Sequence, residues 1–176
     1  MPRLDWDKTS ERFYETGIDR GVLYLADNTG VPWNGLTSVQ ENQSDTSSEP
    51  VYFFGEKVND AQSFGDYSAT LNAYTYPDEF EEFEGVLDLG DGLSIHHQPL
   101  SNRFGLCYRT RIGNDIDGYE HGYKLHLLYN LTATPESNSY QTISNQVDPL
   151  EFSWTITGIP QSVTDYRPTT HIILDS

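Results

Sequence analysis

One cysteine in 176 residues leaves Cys107 without an intrachain partner, so no disulfide framework holds this chain together. Positive charge is almost as scarce: ten Lys and Arg stand against 27 Asp and Glu, for a net charge of −17 and an isoelectric point near 4.3. A protein that clamps phosphates needs basic patches whose contacts release counterions, and this sequence has none. No apolar run approaches the ~20 residues of a membrane span. Met1-Pro2-Arg3-Leu4-Asp5 lacks the apolar stretch of a signal peptide, so maturation in reducing cytosol is expected. Glycine-rich phosphate loops, nucleophile triads and internal repeats are missing as well. Hydrophobic residues make up 36% of the chain, and mean hydropathy is −0.59. Such a chain has a modest private core and leaves apolar surface for partners.

Aromatics are plentiful at 13%, including 12 tyrosines, which suits β-structure and contact surfaces. Gly21-Val22-Leu23-Tyr24-Leu25, the turn formers Asp27-Asn28-Thr29-Gly30 and the run Val31 to Leu36 read as a β-hairpin. Residues 1–20 form a nearly neutral arm of four basic and five acidic residues with aromatic anchors Trp6, Phe13 and Tyr14. The remaining six basic and 22 acidic residues belong to 21–176, so the body carries the negative charge. That body reads as one domain with a long loop around 40–58, polar and Ser-rich over Gln40–Pro50, after which Val51-Tyr52-Phe53-Phe54 and Lys57-Val58 read as a strand.

Period-two alternation marks strands over Tyr67–Tyr76, with Ala69, Leu71, Ala73 and Thr75 on one face, and over Phe104–Ile112, Tyr123–Leu131, Phe152–Ile156 and Thr169–Leu174. Between the first two, Pro77 and Gly85 bracket Asp78-Glu79-Phe80-Glu81-Glu82-Phe83-Glu84, whose Phe pair three apart predicts one or two helical turns. The expected fold is all-β: an antiparallel β-sandwich or barrel with one short helix and an extended N-terminal arm.

No catalytic, cofactor-binding or metal-binding residues are expected. His96, His97, His121, His126 and His171 read as surface or half-buried polar residues. Asp115-Ile116-Asp117-Gly118 and Asp88-Leu89-Gly90-Asp91-Gly92 lack the full calcium-loop pattern and read as turns. The acids Asp78, Glu79, Glu81, Glu82 and Glu84 read as a solvated face rather than a glycosidase pair. Cys107, flanked by Leu106 and Tyr108, reads as an inert packed thiol. Arg109 and Arg111 share one strand face and are expected to meet carboxylates, within the chain or across an interface.

Several strings together resemble the tail tube (major tail) proteins of long-tailed, siphovirus-type phages of actinobacteria. They are Trp6-Asp7, Glu11-Arg12, Tyr14-Glu15-Thr16-Gly17, Asp19-Arg20-Gly21-Val22-Leu23-Tyr24 and Pro32-Trp33-Asn34-Gly35-Leu36. Ala73–Phe80 is similar to that family's strand-to-helix segment, Phe104–Thr110 with His121–His126 to its later strand pair, and Phe152-Ser153-Trp154 to a penultimate strand. The resemblance implies a non-enzymatic virion protein. Six copies would form a ring, rings would stack head to tail, and the tube would hold the tape-measure protein and pass double-stranded DNA without binding it specifically. Tail terminator and baseplate or tip proteins would be further partners. Candidate inter-subunit contacts are Trp6, Phe13, Tyr14, Arg20, Tyr52, Phe53, Arg109 and Arg111. The 78–84 acids are candidates for an acidic lumen that repels phosphates.

Two other readings compete. A β-sandwich recognition or decoration module, binding carbohydrate or a host surface, would show one concave aromatic-lined site. A carboxylate-dependent hydrolase would show a cleft with perturbed acids.

Overall fold

Asp27-Asn28-Thr29-Gly30 makes its turn with side chain and backbone together. Asp27 Oδ1 accepts the Thr29 N–H at 2.9 Å, Asn28 takes a left-handed φ of 66°, and Leu25 N–H donates to the Thr29 carbonyl. The turn joins β1 (Tyr14–Tyr24) to β2 (Gly30–Trp33), with Gly21 opposite Trp33 and Leu23 opposite Val31. Asn34-Gly35 then turns the chain into β3 (Leu36–Asn42). Gly35 has φ 87°, and a Cβ there would meet Thr75 Oγ1 at 2.5 Å, so only glycine fits this corner. Trp33 Nε1–H donates to the Thr75 carbonyl and Thr75 Oγ1–H to the Asn34 carbonyl, which pins the corner.

The structure, a computed structural model, describes residues 6–42, 47–54, 56–63, 66–98, 102–138, 140, 142 and 149–176; the side chains of 47–51, 53 and 56–63 lie outside the description. Beyond β3 come β4 (Ser47–Phe53), β5 (Glu56–Ser63) and β6 (Tyr67–Ala73). A 3₁₀ turn (Asp78–Phe80) runs into α1 (Glu81–Glu84), which Gly85 ends at φ 77° by donating its N–H to the Glu81 carbonyl. The rest is β7 (Leu87–Asp88), β8 (Ser94–Ile95), β9 (Phe104–Asn114), β10 (Gly118–Pro135), β11 (Phe152–Gly158), β12 (Gln161–Val163), β13 (Tyr166–Thr169) and β14 (His171–Asp175). The fold is thus mostly antiparallel β with a single short helix among the described residues.

The main sheet runs β2-β1-β9-β10-β11-β6-β3, with β14 also beside β10. Strand β10 is 18 residues long and serves both layers. Lys124–Leu128 pair with β14, and Leu131–Pro135 pair with β11. Between these stretches Asn130 takes φ 59° and the register to β9 slips, so a bulge bends the strand. The same bulge switches the buried face from His126 and Leu128 to Leu131 and Ala133. One layer is therefore β1-β9-β10-β14 and the other β11-β6-β3. The two ends of the order, β2 and β3, are joined only through the Asn34-Gly35 corner and are not hydrogen-bonded along their length. The barrel alternative is thereby corrected: the sheet folds over its core without closing.

Sandwiched between the layers are Leu23, Trp33, Leu71, Phe80, Phe83, Leu106, Leu128, Leu131, Trp154 and Ile156, all buried. Phe80 sits at the centre, with ring centroids 4.6 Å from Trp33 and 5.3 Å from both Phe104 and Trp154. The short helix thus works as a plug, delivering Phe80 and Phe83 into the open side of the sandwich. Ala69, Leu71 and Ala73 are fully buried along β6, as their alternation predicts.

Element boundaries differ from expectation in two places. Tyr14–Arg20, placed in the arm, is the first half of β1: its backbone pairs with β9, Tyr14 opposite Gly113 and Asp19 opposite Arg109. Bulges at Gly17 (φ 67°) and Arg20 (φ 51°) break the alternation that would have revealed a strand. In the loop expected around 40–58, β3 continues to Asn42, and the strand expected over 51–58 is a hairpin of two, β4 paired with β5; residues 43–46 and 55 lie outside the described residues, as do 1–5 of the arm.

The plug carries a quantitative expectation. Phe80→Ala should lower the free energy of unfolding by ~3–5 kcal/mol, the usual cost of truncating a buried Phe. Urea unfolding checks this, and a loss below about 1 kcal/mol would mean that Phe80 does not organise the core.

Candidate functional site: two open sheet edges and a histidine pair

The β1-β9-β10-β14 layer ends in free backbone on both sides. On one side β2 covers only Gly21–Tyr24 of β1, and among the described residues no strand pairs with the outer edge of Tyr14–Asp19. On the other, no described strand pairs with the outer edge of β14. Unlike a protected edge, β14 shows Ile172, Ile173 and Leu174 at 39%, 50% and 50% exposure. A free strand edge is a template for another chain, and monomers usually blunt it with charge or proline. Two hairpins add to the unfilled surface. The β4–β5 pair hydrogen-bonds to no other described strand, and Tyr52 on it is 61% exposed. The β7–β8 hairpin exposes Leu87, Leu89, Leu93 and Ile95.

The contact candidates fall into three groups. Trp6, Phe13 and Tyr14 are all exposed, with Phe13 leaning on His121 at 5.2 Å between ring centroids. Arg20, Arg109 and Arg111 line one shallow depression with Tyr119 and Tyr123. Asp19 holds two of these arginines: Arg109 Nε–H and an Nη2–H donate to its two oxygens at 2.6 and 2.7 Å, and Arg111 Nε–H donates at 3.0 Å. The guanidinium groups, Arg109 first, pull the Asp19 pKa from 3.8 down to about 2. The expected arginine–carboxylate pairing is thus found within the chain. The cations also sit over rings, Arg109 over Tyr123 at 5.6 Å and Arg111 over Tyr119 at 5.4 Å. Phe53 belongs to β4, but its side chain lies outside the described residues.

The acidic candidates are not equivalent. Asp78, Glu79 and Glu82 are exposed and Glu81 is half-buried. Glu84 turns inward: its carboxylate accepts the Trp154 indole N–H, and burial pushes its pKa up. Asn114 Oδ1 accepts the N–H groups of Ile116 and Asp117 and shapes the β9–β10 turn, while Asp88 Oδ1 accepts the Gly90 N–H in the β7–β8 turn. Both Asp-Gly strings do turn chemistry. Cys107 is buried, and burial raises its thiol pKa.

At one end of the core lies a polar cluster that the sequence reading did not assemble. His126 Nδ1 lies 3.1 Å from His171 Nε2. His126 Nε2 is 3.1 Å from Thr110 Oγ1, which donates to Glu15 Oε1 at 2.5 Å. His171 Nδ1 is 3.4 Å from Glu41 Oε1, which accepts the Tyr108 O–H at 2.9 Å. Tyr108 stacks on His126 with centroids 4.6 Å apart, and the Tyr67 ring meets His171 edge-on. Lys124 Nζ–H donates to Glu15 Oε2 at 2.6 Å, and that hydrogen bond, ahead of Thr110, lowers the Glu15 pKa. Burial lowers the pKa of His171. The alternation of Tyr123–Leu131 sets His126 on the more polar face, with Lys124 and Asn130, so the sequence carries no signal for its burial here.

Comparison with known proteins gives fold-level neighbours only. No protein-family model matches the chain, and no curated protein is similar to it. Among solved structures, it resembles a chain of the PVC sheath–tube complex of an extracellular contractile injection system in the extended state, at 13% identity and TM-score 0.48 over 89% of each chain. A second is from the PVC sheath/tube terminator, also extended, at 12% identity and TM-score 0.44 over 98% of this chain and 99% of that one. A third is from the anti-feeding prophage baseplate, at 9% identity and TM-score 0.38 over 97% of both. Likeness at this level leaves function to be argued from the chain's own surfaces.

The Asp19 cluster makes a pH prediction. A carboxylate whose folded pKa is depressed stabilises the fold above its unfolded pKa and loses that contribution as pH falls through the folded value. Asp19→Asn should therefore cost on the order of 1 kcal/mol at neutral pH, modest because Asp19 is 31% exposed and solvent screens the pair. The gap to the parent protein should narrow as pH falls from about 4 to about 2. A gap that stays constant across that range in chemical unfolding would show that the ion cluster is not its source.

Proposed function

We propose that this chain is a structural subunit of a phage-type tail tube, and that it assembles edge to edge with copies of itself. The observation that carries the reading is the β1-β9-β10-β14 layer, open on both sides, with an apolar β14 at one edge. Joining the β14 edge of one copy to the Tyr14–Asp19 edge of the next satisfies both rows of backbone groups. It also covers Ile172, Ile173 and Leu174. Such a head-to-tail contact is heterologous, so it closes into a ring when the rotation permits. Six copies would then give a continuous barrel without edges. The resemblance of the 6–36 strings to tail tube proteins supports the same reading.

Stacking would use the surfaces that the ring leaves free. An isolated two-stranded hairpin is marginally stable in water, which makes β4–β5 a natural bridge to the next ring. The exposed aromatics Trp6 and Phe13 are the other candidates. The tube would be non-enzymatic, would sit in the virion tail, and would hold a tape-measure protein before DNA passes. Terminator and baseplate or tip proteins would cap its ends.

Charge suits that traffic: a body rich in carboxylates repels phosphates. The face of the four-stranded layer away from the core carries Asp19, Arg109 and Arg111, with the arginines neutralised in part by Asp19. Asp78, Glu79, Glu81 and Glu82 belong to the helical plug on the core side. They line the bore only in an arrangement that turns this side inward.

Electron microscopy of the purified full-length chain over a concentration series tests assembly. Rings or stacked tubes are expected, and a chain that stays monomeric at every concentration and with tail seeds would refute the reading. The double variant Ile172→Lys/Leu174→Lys should retain its far-ultraviolet circular dichroism and remain monomeric by light scattering. Assembly undiminished in this variant would remove β14 from the contact.

A further inference from the structure

The two facing histidines have their tautomers fixed by what lies behind them. Thr110 gives its only hydroxyl proton to Glu15, so its oxygen is left to accept from His126, and Nε2 of His126 carries a proton. Glu41 Oε1 already accepts the Tyr108 hydroxyl, and a carboxylate has no proton to offer, so Nδ1 of His171 carries one too. In the neutral rings, Nδ1 of His126 and Nε2 of His171 are then both bare lone pairs. They point at one another across 3.1 Å. Two lone pairs at that distance repel unless a cation lies between them.

We propose that this cluster is a binding site for a divalent transition metal of the zinc class, held by His126 and His171 with Glu41 as the third ligand. The donor atoms of the three residues all lie within 4.8 Å of one another. Zn–N bonds of about 2.0–2.1 Å place two tetrahedral nitrogens ~3.3 Å apart, so the pair needs to open by only a few tenths of an ångström. His126 has the outer partner that ligating histidines have: its Nε2–H faces Thr110, which Glu15 holds in turn. His126 and His171 are nearly buried, while the Glu41 side chain is 39% exposed and gives the ion its route from solvent. The Tyr67 ring lies edge-on against His171 and closes that side of the cluster.

The ion would connect three strands. Glu41 is near the end of β3 in one layer, His126 is on β10 in the other, and His171 opens the edge strand β14. Its role is thus structural: it fastens the edge strand to both layers.

The test uses the untagged full-length chain, stripped with a chelator and titrated with Zn²⁺ by calorimetry and with Co²⁺ by absorption. We expect saturation at one ion per chain, the visible ligand-field bands of nitrogen- and oxygen-ligated Co²⁺, and a rise in Tm with Zn²⁺. His126→Gln and His171→Gln should each weaken binding roughly tenfold or more, whereas His121→Gln, at the far turn, should bind as the parent does. The parent titration needs no variant, so a misfolded variant leaves it decisive. Absence of saturable binding to the parent chain overturns the proposal, as does binding untouched in both histidine variants. A stability that instead falls as pH rises through the histidine range, with no metal bound, would assign the gap between the rings to a shared proton.

Discussion

Backbone pairing around a small aromatic core is the constraint that everything else in this chain obeys. A sheet that must wrap Phe80, Trp154 and Trp33 with few apolar residues cannot be flat, and every bend in it risks unpaired N–H and C=O groups. Strand β10 resolves this by bulging at Asn130. The strand keeps β9 on one side and exchanges β14 for β11 on the other. The freed backbone groups at the bend find partners at once: Tyr129 N–H donates to the Thr170 carbonyl, and Ile159 N–H to that of Asn130. The Asn130 side chain closes the circuit by donating to the Ile159 carbonyl at 2.9 Å. A small polar residue that tolerates left-handed φ is what such a bend requires.

Periodicity made much of this readable in the sequence. The hairpin at Asp27–Gly30, the strand faces of β6 and β11 and the helical turn between Pro77 and Gly85 are all local effects, fixed by residues within a few positions of one another. Where alternation fails, reading fails with it. Gly17 and Arg20 interrupt β1 at the stretch that was placed in the arm, and β10 changes its buried face partway along. The β12–β13 hairpin was missed because three- and four-residue strands carry too little pattern. For the candidate site, one half was legible. Arg109 and Arg111 two apart on a strand call for a carboxylate, though Asp19 as its source depends on a bulge 90 residues away in sequence. Glu15, Glu41, His126 and His171 come together only through the sandwich, from four separate strands, and no spacing along the chain encodes that.

Charge is deployed unevenly. Three of the body's six cations are drawn into structural pairs, Arg109 and Arg111 on Asp19 and Lys124 on Glu15. The Asp19 cluster joins β1 to its neighbour β9 and the Lys124–Glu15 pair reaches across β9 to β10, so β1 is fastened by ion pairs as well as by its ladder.

The Asn34-Gly35 corner has a mechanical consequence. Strands β2 and β3 lie in opposite layers yet are separated by two residues, and β10 also enters both layers. The layers are thus stitched at two separate places by continuous chain. Sliding one layer over the other, the soft deformation of an ordinary sandwich, would stretch covalent backbone at both stitches. A subunit made this way resists shear along its strands, so load applied to one edge is carried through to the other with little internal slip.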